Sequence, residues 1–212
     1  MLDWLWQILD AQKLQALMVA YGLWIMAPII FAETGLLVGF FLPGDSLLFL
    51  AGAVCALSQG QLSPITVSAV LVIAAVLGNS LNYALGRWLG AWVWSRPDGR
   101  LLKRKYLEDA KAFYDRHGAV ALVLTRYIPI LRTFVPFVAG TARMPFARFT
   151  LWNVLGALLW VPVLVALGWW LGEQPFVKKH IEAILLGVIA VSFLPVAIMA
   201  GVKWWRGRRA GT

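Results

Sequence analysis

Between Lys13 and Arg87 the chain carries only two charged side chains, Glu33 and Asp45. So long an apolar tract cannot coat a water-soluble surface, and each carboxylate within it must find a cation, a proton or a watery cavity. The opposite problem recurs in Thr125-Arg126-Tyr127-Ile128-Pro129-Ile130-Leu131-Arg132-Thr133-Phe134-Val135-Pro136, an apolar run holding two arginines and two prolines. Placing one full charge in hydrocarbon costs roughly 2.5 to 3.5 kcal/mol even on the lenient insertion scale. The economical solution is a fold that brings the two acids and the two arginines together.

Composition supports the membrane reading. The 212 residues are 61% hydrophobic and 14% charged, with a mean hydropathy of +0.76, which describes an all-α integral membrane protein forming one polytopic domain, 1–212. The net charge of +9 does not point to nucleic acid, because the basic residues fall between and after apolar blocks. Membrane orientation and phospholipid headgroups explain them. The single Cys55 offers no disulfide framework, zinc spacing or reactive dyad, and no metal or cofactor is expected. Asp3 and Asp10 stand where a cleaved secretory leader would carry basic residues.

Residues 1–20 read as an interfacial amphipathic helix, with Asp3, Gln7 and Asp10 on one face and two tryptophans among its apolar residues. Residues 22–57 are interrupted by Phe41-Leu42-Pro43-Gly44-Asp45-Ser46. Pro43 and Gly44 break a helix, and Asp45 or Ser46 suits the N-cap of a following segment too short to cross alone. A first re-entrant hairpin is predicted. Residues 64–94 form a transmembrane helix entered through Ser63-Pro64, with Gly78, Asn82, Gly86 and Gly90 on a stripe that admits a close neighbour. Asn79 and Tyr83 add hydrogen-bonding groups beside it.

Residues 96–117 are the main polar connection, with seven Lys or Arg against four acids. Leu102, Tyr106, Ala110, Phe113 and Tyr114 recur at helical spacing, which predicts a surface helix with its aromatic side on the bilayer. His117 and the later His180 read as loop or cap residues. Residues 118–142 repeat the first design and predict a second re-entrant hairpin, with Pro129 breaking the helix and Pro136 in the first turn of the next. Residues 149–171 and 183–202 are transmembrane helices, and 203–212 is a basic tail.

The positive-inside rule tests the hairpin assignment. If 118–142 crossed fully, three crossings would separate the basic 96–117 connection from the basic tail. If it re-enters, both lie in the cytoplasm, and the balanced 173–182 loop lies outside. Run backward, the same logic brings the first hairpin in from the outer face. Two inverted repeats result, each a re-entrant hairpin plus a transmembrane helix, followed by an extra C-terminal helix.

In such an arrangement Arg126 and Arg132, with the helix ends at Asp45 to Leu48 and Thr133 to Pro136, would attract an anion. A guanidinium fork suits phosphate and stays charged in a dry site. Glu33 and Asp45 would carry protons, since a buried carboxylate set free from its cation takes one up. Pro43, Gly44, Asn79, Tyr83, Pro129, Thr133 and Pro136 would shape the cavity. A purely structural ion cluster is the competing reading, but apolar replacement of such clusters is often neutral or stabilising, which makes structure a poor reason to keep charges in lipid.

These residues resemble the DedA family of bacterial membrane proteins. The likeness rests on Glu33-Thr34-Gly35, the block Phe41 to Leu48, Gly78-Asn79 with Tyr83 and Gly86-Arg87, Arg126 with Pro129, Arg132-Thr133 and Ala139-Gly140, and Pro175 to His180. It implies a multi-pass protein of the bacterial inner membrane with a cytoplasmic C-terminus. It also implies dependence on the proton motive force and a link to recycling of undecaprenyl phosphate, with two acids and two arginines required. Many members carry Asp where this chain has Asn79, so a third protonatable group is missing here. The leading expectation is a proton-coupled transporter of this polyprenyl phosphate and not an enzyme. The alternatives are a proton/small-cation antiporter and a membrane assembly protein. A membrane phosphatase would need a nucleophile or metal cluster that the sequence does not offer.

Overall fold

The computed structural model describes residues 11–37, 39, 42–58, 60–95 and 104–174. Residues 1–10, 96–103 of the expected 96–117 connection, 175–182 of the 173–182 loop, the 183–202 helix and the basic tail lie outside the described residues. Those described form helices α1 (Ala11–Gly35), α2 (Gly44–Leu57), α3 (Pro64–Ser95), α4 (Arg104–His117), α5 (Ala121–Leu124), α6 (Pro129–Thr141) and α7 (Phe146–Gly172), with 3-10 turns on both sides of α5.

Prolines set most of the helix starts. Pro64 and Pro129 open α3 and α6, where a missing N–H costs no hydrogen bond and the fixed φ already suits the helix. Pro43 and Pro145 stand just before α2 and α7 and accept the first helical bonds from Leu47 N and Phe149 N, both at 3.0 Å. Two sequence expectations change here. Pro136 lies inside α6 and not in its first turn, because Pro129 already occupies the opening position. Asp45 makes no cap bond at the start of α2; its carboxylate is taken by side chains of the other half of the molecule. The division expected near residue 21 is also absent, since α1 runs through it continuously and nothing from Leu14 to Ala27 carries the proline or charge that would end a helix.

Helices α3 and α7 are long and apolar enough to cross a membrane. Both turn large apolar side chains outward, including Ile73, Leu77 and Trp88 on α3 and Leu151, Leu158 and Leu167 on α7. A core helix of a soluble protein would bury these residues, whereas lipid covers them without cost. Helices α2 and α6, of 14 and 13 residues, rise only about 20 Å at 1.5 Å per residue. That is less than the roughly 30 Å of bilayer hydrocarbon.

The two halves exchange their short helices. Besides α1 packing on α3 and α5 on α7, α2 packs along α7 and α6 along α3. The registers show parallel neighbours: Asn82, Gly86 and Gly90 meet Thr133, Phe137 and Thr141 in turn, while Phe49 and Ala53 meet Gly168 and Gly172. Glycine makes these approaches possible, for a Cβ at Gly86 would strike the Phe137 backbone and one at Gly168 the Phe49 carbonyl. We expect Gly86→Val to force α3 and α6 apart at a cost of about 1–3 kcal/mol. The readout is a lower thermal midpoint in detergent, with exposed Leu89→Val as the unchanged control.

The connection helix also differs from expectation. Tyr106, Phe113 and Tyr114 of α4 pack into the protein, against a cluster that includes Phe134, Val138 and Leu131 of α6. Its aromatic side therefore packs on α6 instead of facing the bilayer.

Candidate functional site

The buried polar residues Glu33, Asn79, Asn82, Arg126, Arg132, Thr133 and Asn153 belong to neither of the two apolar clusters of the core. They gather where both chain breaks meet the two long helices. In the first break, the turn after α1 is tight enough that a side chain at Gly39 would collide with the carbonyls of Ala32 and Glu33. Gly44 then passes so close to the Glu33 carboxylate that a Cβ there would overlap it. A side chain at Gly44 would push this carboxylate out of its place.

In the second break, Ile128 takes an extended conformation (φ −117°, ψ 104°) between the 3-10 turn of Arg126 and the first turn of α6. Arg126 and Arg132 thus leave the chain from different local structures. Arg132 bridges both acids of the first half. Its Nη1 donates to Asp45 Oδ1 at 2.8 Å and its Nη2 to Glu33 Oε1. Glu33 is fully buried and Arg132 nearly so, whereas the Asp45 side chain is 48% exposed. Asp45 is therefore the one exposed member of the trio.

Arg126 is equally buried but differently held. Its Nη2 donates to Asn153 Oδ1 at 2.7 Å, and no carboxylate among the described residues pairs with it. Asn79 completes this neutral setting: with its amide turned so that Oδ1 accepts from Arg126 Nη2 at 2.9 Å, its Nδ2 donates to the Thr34 carbonyl at 3.1 Å. Asn153 is fixed in turn by a bond from its Nδ2 to the Val76 carbonyl at 3.0 Å. Trp160 lies against both arginines, with guanidinium carbons 5.5 Å (Arg126) and 5.2 Å (Arg132) from the ring centroid. Its Nε1 donates to Asp45 Oδ1 at 2.9 Å. The ring faces stabilise two like charges that would otherwise repel across a dry gap.

The groups left without partners define what the site can accept. Arg126 Nε and Nη1, Arg132 Nε, Glu33 Oε2 and Asn82 Oδ1 are buried and make no hydrogen bond to a side chain. Three are guanidinium donors and two are acceptors, one of them a carboxylate oxygen able to hold a proton. Among the described residues no His, Cys, Asp and Glu cluster could hold a metal.

Most of the remaining predicted residues have structural places. Pro43 precedes α2 and Pro129 opens α6. The Thr133 hydroxyl bonds to the Ile130 carbonyl, while its own carbonyl accepts from Asn82 Nδ2 at 2.7 Å. Asn82 also reaches the Thr34 carbonyl at 3.1 Å, tying α1 and α6 to α3. Tyr83 lies outside the charge cluster: its hydroxyl donates to the Met144 carbonyl, and its ring stacks on Phe149 at 4.4 Å, fixing the turn between α6 and α7. Asn153 and Trp160 were not singled out by the sequence reading. A lone amide in the apolar 149–171 run is a visible signal for Asn153, whereas Trp160 is one of 12 tryptophans with nothing local to distinguish it.

Comparison with known proteins places this arrangement. Residues 42–170 match the VTT domain, a stretch that holds Asp45, Arg126, Arg132, Asn153 and Trp160 and begins just after Glu33. The chain is 42% identical to Protein DedA of Escherichia coli (strain K12) over 188 residues, covering 87% of this chain and 86% of that protein. It is 38% identical to the inner membrane protein YghB of the same strain over 195 residues, 92% of this chain and 87% of that one. It is also 36% identical over 182 residues to the uncharacterized membrane protein ML0287 of Mycobacterium leprae, 86% and 79% of the two chains. No solved structure matches the chain. With a domain match over more than half its length and full-scale relatives in membranes, the chain belongs to the DedA family of membrane proteins.

Proposed function

We propose that the protein is a proton-coupled transporter of a lipid phosphate carrier, undecaprenyl phosphate or a close polyprenyl relative, across the inner membrane of a bacterium, with its C-terminus in the cytoplasm. The observation that carries this reading is the set of buried groups without a side-chain partner, in which three guanidinium donors stand beside a carboxylate oxygen able to take a proton. A phosphate would occupy Arg126 first, because that arginine has no acid to displace. Exchange of Glu33 for a phosphate oxygen on Arg132 would then free a carboxylate in a low-dielectric site, where it takes up a proton. Half-exposed Asp45 would pass that proton to and from water. The polyprenyl tail would stay in lipid, and α2 and α6, too short to cross, would serve as the two broken hairpins around the site.

The cation antiporter reading fits less well. A cation site needs oxygen ligands that are free, yet Arg132 occupies one oxygen of each acid and three of the five open valences are donors.

The test is uptake of labelled polyprenyl phosphate into the inner leaflet of proteoliposomes under an imposed pH gradient. Transport is expected to accelerate with the gradient, and Glu33→Gln to lower the gradient-driven component at least tenfold while lipid phosphate still binds. Full gradient-driven transport by Glu33→Gln would end the proton-carrier assignment, and gradient-driven cation flux without any lipid phosphate would favour the antiporter.

A further inference from the structure

We infer that the groove between α4 and the chain break ahead of α6 is a docking site for the phosphate headgroup of an anionic membrane lipid, distinct from the central charges. This goes beyond the transport reading and rests only on the chain's place in a membrane. The groove has a volume of about 730 Å³, with Lys105, Phe113 and Arg116 of α4 on one side and Ile128, Ile130 and Leu131 on the other.

The charges of α4 divide by position. Arg104 pairs with Glu108 at 3.2 Å and Lys111 with Asp115 at 2.5 Å, each one helical turn apart. Lys105 and Arg116, the two cations that line the groove, have no ion-pair partner among the described residues. The one acid of the groove, Asp109, pairs with neither of them. The lining therefore carries a net positive charge of one. Two unpaired cations on one wall suit a phosphate better than a neutral or cationic group.

The opposite wall decides the source of that phosphate. Ile128 and Ile130 are 40% and 36% exposed, and the adjoining Tyr127 is 60% exposed. They form an exposed apolar strip beside the basic wall, and the backbone at Ile128 is extended. A free phosphate gains nothing from this strip, whereas acyl chains lie along it and leave the headgroup between Lys105 and Arg116. The groove is too small for a whole phospholipid, so the tails must lie outside it, on this strip.

Cys55 is the chain's only cysteine and is buried, so Ala112→Cys gives one reactive thiol on the groove wall. The full-length labelled protein is placed in nanodiscs, and quenching by headgroup-spin-labelled phosphatidylglycerol is compared with that by spin-labelled phosphatidylcholine. The anionic lipid is expected to occupy the groove preferentially, with the preference falling about fivefold for each cation removed in Lys105→Gln and Arg116→Gln. Arg104→Gln with Lys111→Gln, on the same helix outside the groove, should leave it unchanged. Equal quenching by the two lipids overturns the proposal. So does equal loss in the outside variant, which would mean a diffuse surface potential, or displacement by inorganic phosphate at millimolar concentration, which would mean a soluble ligand. A preference that survives Lys105→Gln with Arg116→Gln but vanishes in Arg132→Gln would move the lipid to the central site and also overturn it.

Discussion

Arg132→Gln is expected to destabilise the protein by about 3–5 kcal/mol and to reduce lipid phosphate transport below detection. The variant leaves Glu33 fully buried and without its cation, while Asp45 loses its guanidinium but keeps the Trp160 indole. Because Glu33 is fully buried and the Asp45 side chain is 48% exposed, most of the cost falls on Glu33. Arg132→Lys should recover only part of the stability, since one ammonium lacks the planar fork that reaches two carboxylates at once. The informative variant combines Arg132→Gln with Glu33→Gln and Asp45→Asn. With no charge left to strand, its thermal midpoint should return to near that of the parent protein, as removal of whole buried clusters often does. Its transport should stay lost. Recovery of transport together with stability would make the trio a structural clamp and remove the basis of the proposed mechanism.

The legibility of this site in the sequence follows from how rare its members are. Glu33 and Asp45 stand out because nothing else between Lys13 and Arg87 is charged, and the arginines stand out for the same reason beside Pro129. Long-range pairing of such residues is close to forced, since lipid offers no other partner. Which arginine takes which acid is not forced. It depends on the second half's short helix reaching the first half's long one, and that exchange is set by the close approaches at Gly86 and Gly168, whose partners no local pattern reveals. The placement of α4 departs from expectation for a related reason. An amphipathic period says that one face is covered, but not whether lipid or protein covers it. Tyr83 shows the same limit from the other direction: a polar ring one turn from Asn79 serves a turn of the partner half, because successive turns of α3 face different neighbours.

Arg126→Gln is expected to separate stability from function in the opposite sense to Arg132→Gln. Arg126 is 2% exposed, is held by neutral amides and keeps two donors unpartnered, so the fold carries its desolvation cost with only Trp160, Asn153 and Asn79 in return. Removing the charge should raise stability by about 1–3 kcal/mol, while binding of lipid phosphate falls at least a hundredfold. Gln is long enough to keep a bond to Asn153, which limits the cavity left behind. Asn79→Asp tests the same arginine from its partner. A carboxylate in place of an amide that lies 2.9 Å from Arg126 Nη2 would neutralise the one cation that waits open for substrate. The variant should therefore also be more stable than the parent, and phosphate would bind it only after this third acid is displaced and takes up a proton. Calorimetry in buffers of different ionisation enthalpy should count about one more proton taken up per phosphate bound than in the parent, with affinity recovering as pH falls. If Arg126→Gln instead unfolds the protein, or Asn79→Asp binds phosphate with unchanged proton uptake, Arg126 is part of the scaffold and its open valences have another use.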